Sequence, residues 1–81
     1  MVNQKKQRSM FYQTKSHYEI DGYPSANYQG PPRERERANT LPKARKIAKE
    51  LFKKYPYVEI TLQVVTEDGY DVAGYFVESM K

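Results

Sequence analysis

His17 is the only histidine in the chain, and Glu19 and Asp21 follow it closely. Imidazole near carboxylates is the raw material of acid–base chemistry or of a metal centre, but both need more than proximity in sequence. A nucleophile would have to lie beside the ring, or further ligands would have to converge on it, and the spacing demands neither. A second acidic group, Glu67, Asp68 and Asp71, could attract a cation, yet it lacks the D-x-D-x-D-G spacing that wraps a hard ion. Asp68-Gly69 is also the composition of a tight turn. No glycine-rich phosphate loop is present. The chain has no cysteine, which excludes disulfides, thiolate catalysis and cysteine-based zinc sites and fits a reducing, cytoplasmic setting. The expectation is a non-enzymatic protein with no cofactor and no metal.

The stronger chemical signal is charge. Between residues 38 and 54 six cations face Glu50 alone, whereas between 55 and 81 five acids face Lys81 alone. In KARKIAKELFKK, residues 43–54, Arg45, Lys49 and Lys53 recur every four positions, with Lys43, Lys46 and Lys54 alongside. Clustered cations of this kind neutralise phosphates and release condensed counterions. Lys5, Lys6 and Arg8 would enlarge the footprint. The competing explanation is solvation, because Lys and Glu are good helix formers and Glu50 is four residues from both Lys46 and Lys54. RERER at 33–37 alternates sign; extended, it would set Arg33, Arg35 and Arg37 on one side, although charge runs usually stay wet in a loop.

Eight tyrosines in 81 residues, without a tryptophan, form a third signal. Tyrosine offers a large contact area at low rotamer cost and can stack on bases or anchor an interface. Tyr18 and Tyr55 are expected in the core. Tyr12, Tyr23, Tyr28, Tyr57 and Tyr70 remain for contact.

The elements that must position these groups follow from periodicity. Eighty-one residues make one domain. Residues 1–9 are polar and basic, without an apolar repeat, and read as a disordered arm; 10–81 read as the folded domain. Aromatic and β-branched residues ending at Asp21-Gly22 give a first strand. Residues 22–39 carry two of the four glycines and three of the five prolines and read as a long contact loop. Thr40 as N-cap and Pro42 in the first turn open a helix over 40–55. Leu41, Ala44, Ile47, Ala48, Leu51, Phe52 and Tyr55 fall within an arc of roughly 140°. Pro56 ends it.

Val58, Ile60, Leu62 and Val64 then alternate with polar residues as a half-buried strand, the first arm of a hairpin over 57–79. Two registers compete. A two-residue Asp68-Gly69 turn sets Glu59 against Glu78, a like-charge pair; a three-residue loop pairs Val64 with Val72, Leu62 with Gly74 and Ile60 with Phe76. The second is preferred, and it leaves Thr61, Tyr75 and Val77 on the outer face. The predicted architecture is α+β: a three-stranded antiparallel sheet in the order β-α-β-β with one amphipathic helix packed on one face. No apolar run approaches the length of a membrane span.

In size and composition the chain resembles the small accessory proteins of phages and mobile elements. The expected function is a binding module for the nucleic-acid backbone, or for an acidic protein surface, through the helix cations and the arm. The alternative is a protein-binding inhibitor or adaptor using Tyr23, Tyr28 and the loop arginines or the outer hairpin face, with self-association as a homodimer.

Overall fold

The computed structural model describes residues 16–65 and 72–81. The expected arm and the Asp68-Gly69 turn with its acidic neighbours lie outside the described residues. Five elements follow in order: β1 (His17–Tyr23), β2 (Glu34–Ala38), α1 (Leu41–Phe52), β3 (Tyr57–Val65) and β4 (Val72–Met80). The fold is α+β, and the sheet is antiparallel in the order β2-β1-β3-β4. It has four strands where three are predicted from sequence.

The additional strand is the RERER run, read from sequence as part of a loop. Its alternation of charge suits a period of two when each side finds its own partners. Arg35 and Arg37 lie opposite Asp21 and Glu19 of β1, and Glu34 and Glu36 opposite Gly22 and Ile20. The Arg35 guanidinium donates to Asp21 Oδ1 at 2.9 Å on the face away from the helix. Glu34 Oε1, on the helix side, accepts from Tyr55 Oη at 3.0 Å and from Lys54 Nζ at 3.2 Å. A hydrogen bond from Arg33 N to Gly22 O, 2.9 Å, closes the approach to the strand. Hydropathy does not register a strand stabilised by polar side chains on both faces.

The hairpin register also differs from the preferred one. Val65 pairs with Val72, Val64 with Ala73, Gln63 with Gly74, Leu62 with Tyr75 and Thr61 with Phe76, which is the register a two-residue turn would produce. The clash of Glu59 with Glu78 that argued against it does not arise. A bulge between Ile60 and Thr61 shifts the pairing by one, so that Ile60 faces Glu78 and Glu59 faces Ser79. Such a bulge inserts one unpaired residue and bends the strand. Here it turns Val77 onto the core, against the outer-face expectation. Tyr75, opposite Leu62, lies on the helix side of the sheet, and Phe76 takes the outer face instead.

The core lies between α1 and the centre of the sheet. Ile20, Val58 and Ile60 are fully buried beneath Ala44, Ala48 and Leu51. Full burial of each large side chain contributes about 1.5–3 kcal/mol. Ala44 and Ala48, one turn apart, let the helix approach closely. Tyr18, Leu41, Ile47, Tyr55, Val77 and Met80 seal the rim. Gly22 has a steric reason: a Cβ there would lie 2.5 Å from Cδ2 of the Tyr55 ring. Thr40 is extended (φ −132°, ψ 155°), and its Oγ1 accepts from Lys43 N at 3.4 Å, as an N-cap does.

The helix is shorter than the sheet is long. Twelve residues reach about 18 Å and nine-residue strands about 30 Å. Leu62 and Val64, on the helix-side face of β3, are accordingly only half-buried. No helix among the described residues is long and apolar enough to cross a membrane.

Candidate functional site

The solvent face of α1 carries Lys43, Arg45, Lys46 and Lys49, and Lys53 and Lys54 follow just past its end at Phe52, where the helix stops short of the expected Tyr55. The six are not equivalent. Arg45 reaches across to β4: its Nη2 is 3.0 Å from Glu78 Oε1 and its Nε 3.1 Å from Glu78 Oε2, a bidentate fork. The hydrogen bonds from Arg45 hold the Glu78 carboxyl below the ordinary carboxylate range, and Glu78 in turn raises Arg45. Lys53 pairs with Glu50 at 3.4 Å. Lys54 pairs with Glu34 and, with the Tyr55 hydroxyl, lowers its pKa. The every-fourth-residue row of Arg45, Lys49 and Lys53 is thus engaged at both ends.

Lys43, Lys46 and Lys49 remain. All three are exposed, and none has an ion pair among the described residues. Spaced by three, they form one ridge along the helix. Like charges at that spacing cost a few tenths of a kcal/mol per pair. Lys43 is also in the first turn, which contains no acid, where the helix dipole favours anions. Neither the helix dipole nor the ion pairs among the described residues therefore account for the ridge.

The loop arginines separate as well. Arg35 is engaged by Asp21 at 2.9 Å and Glu19 at 3.5 Å. Arg33 lies over the Tyr28 ring, 5.7 Å from its centroid. Arg37 is exposed and without an ion pair among the described residues. Tyr23 and Tyr28, expected to contact a partner, pack on each other at 6.4 Å, and Tyr23 packs on Tyr57 at 5.8 Å. Part of the contact area assigned to a partner is used within the chain.

Beside this cluster a cleft of about 280 Å³ opens between the tyrosines, Gly30 and Glu59. Its hydroxyl protons are directed at carboxylates: Tyr57 donates to Glu59 at 2.9 Å and Tyr23 to Asp21 at 3.5 Å. Burial raises both phenols. The cleft is thus an anionic neighbourhood, unsuited to phosphate. His17, on the same open face of the sheet, is 3.8 Å from Glu19. Among the described residues no group of histidine and carboxylate side chains is arranged to hold a metal ion.

Comparison with known proteins finds no family model, no curated protein and no solved structure that matches the chain.

Sequence reasoning missed the edge of the sheet. From Val72 to Val77 β4 has no charged residue, it is the last strand of the sheet, and Tyr75 and Phe76 are 56% and 62% exposed. The uncharged run was legible; that no strand among the described residues pairs its far side was not.

Proposed function

We propose that the chain is a non-enzymatic binding module that associates with the nucleic-acid backbone through the solvent face of α1. The observation that carries this reading is the ridge of Lys43, Lys46 and Lys49, which bears repulsion that no described acid relieves and that a polyanion would. Arg45, Lys53 and Lys54 flank it. Their ion pairs are largely exposed, with side-chain exposures of 54%, 72% and 60%, so they contribute little to stability and can exchange for phosphates. Lys5, Lys6 and Arg8, outside the described residues, would supply further cations. The mechanism is electrostatic, with little reading of bases.

A polarisation titration of the full chain against generic duplex and single-stranded nucleic acid at two salt concentrations tests it. Binding should fall steeply with salt. Reversing charge at all three positions (K43E, K46E, K49E) should lower the logarithmic salt slope on duplex by roughly 3. Reversing Arg45 and Lys53 should have a smaller effect. No binding at low ionic strength, or a ridge variant that binds normally, would end the proposal.

A second reading, protein binding, is favoured by a separate observation, the open apolar edge at Tyr75 and Phe76. Its mark would be a complex that responds weakly to salt.

A further inference from the structure

An uncharged edge strand is a template. Its outward N–H and C=O groups are available to another strand, and proteins that avoid such pairing place charge, proline or a cover on the edge. β2, the opposite edge, has charge in four of its five positions, ERERA. The Val72–Val77 stretch of β4 has neither charge nor proline, and residues 73–76 are exposed. Glu78, the one charge within the strand, is occupied by Arg45. The edge is open where it is apolar and neutralised where it is acidic.

We infer that β4 pairs antiparallel with β4 of a second copy of this chain, joining two four-stranded sheets into one of eight strands about a two-fold axis at Tyr75. This rests on the protein-binding reading and is independent of the nucleic-acid one. The partner follows from self-complementarity. In an antiparallel pair, residues directly opposite share a face, so a symmetric register must centre on one residue. Centred on Tyr75, it sets Tyr75 against its own copy on the helix side. It also places each Phe76, on the other face, opposite Gly74 of the second copy. Glycine has no side chain of its own there, so the Phe76 ring would pack against the Gln63 amide, whose Nε2 lies 3.1 Å from where a Gly74 Cβ would be. An aromatic ring laid over an edge glycine is a recurrent stabilising pair. Ala73 then faces Val77. Joining β4 to β2 of another copy would set ERERA beside VAGYFV, which offers no charge to Glu36 or Arg37, so the symmetric pairing is favoured over a head-to-tail fibre.

A two-fold axis normal to the sheet keeps both helices on one side. The two lysine ridges would then share one surface of the dimer.

The cysteine-free chain makes the test direct. Sedimentation of the full chain without nucleic acid, from low to high micromolar concentration, should show a monomer–dimer equilibrium. Phe76→Lys should weaken it about tenfold or more while preserving the far-UV circular dichroism spectrum. In the Y75C variant the two thiols would stand on the axis. Antiparallel neighbours have Cα separations of about 4.5–5.5 Å, within disulfide range, so mild oxidation should yield a covalent dimer. An R37C variant, on the protected edge, should not link. A monomer at every concentration overturns the inference. So does a dimer that tolerates Phe76→Lys, or one that Y75C fails to link.

Discussion

β2 and β4 bound the same sheet and face opposite demands. β2 is tied on both sides by polar side chains: Arg35 to Asp21 and Glu19 on one face, Glu34 to Tyr55 and Lys54 on the other. It leaves further charge, Glu36 and Arg37, exposed at the margin. β4 is attached to β3 from Val58 to Val65 but to the helix, among the described ion pairs, only through Arg45 and Glu78. One edge is finished by interactions within the chain. The other is left available. A strand can therefore be held in a sheet by polar side chains while hydropathy is silent, and an apolar strand can remain half-used while hydropathy is strong.

The contrast can be broken most severely at Gly22. Gly22→Ala should push the Tyr55 ring aside, detach its hydroxyl from Glu34 and loosen β2 from the helix, at a cost of about 1–3 kcal/mol in urea unfolding. An unchanged midpoint would show that the β2 edge does not depend on that ring. Next comes Arg35→Ala. Asp21 is 4% exposed, and losing its guanidinium leaves a buried carboxylate short of a partner. Because Arg35 itself is half-exposed, a loss of about 1–2 kcal/mol is expected, below the range for fully buried pairs. Arg37→Ala, two residues on and without an ion pair among the described residues, should stay within about 0.5 kcal/mol. Equal effects at 35 and 37 would mean that the edge is held by strand pairing alone.

The smallest effect concerns the tie to β4. The folded-state pKa of Glu78 lies below its ordinary value because of Arg45. Its contribution is therefore present above the unfolded carboxylate pKa and is lost as pH falls through the folded one. Following the Glu78 carboxyl by NMR should show the lowered midpoint, and Arg45→Ala should return it to the ordinary range with little change in stability at neutral pH. A midpoint indifferent to Arg45 would dissolve the tie.

The helix was legible at its start and along its buried face, because Leu41 to Leu51 repeat with one period and Thr40 with Pro42 announces the start. The β3 alternation was legible for the same reason. The helix end, expected at Tyr55, falls instead at Phe52, which is exposed. β2 was not, since the partners that make ERERA a strand are 14 to 21 residues away: Asp21 behind it and Tyr55 ahead. The hairpin register was misread because the argument against it, Glu59 facing Glu78, assumed that pairing stays uniform along a strand. One inserted residue removed the conflict, and no pairwise rule reveals where such an insertion will fall. At the candidate interface the cations could be counted from sequence, but their division into bound and unbound depended on which acids folded beside them. Glu78 is 33 residues from Arg45 and Glu34 is 20 from Lys54.

The mismatch in length between α1 and the two strands of the last hairpin has a consequence for how the molecule breathes. Near Val58 and Met80 the hairpin packs on the core, and its backbone amides are expected to open only with the global unfolding. Toward Val65 and Val72, beyond the helical roof and past the last β1 pairing of His17 with Gln63, the ladder is expected to part locally without disturbing Ile20 or Leu51. A single pair of strands thus spans two regimes of stability, and anything that clasps the outer edge of β4 would extend the slower regime outward.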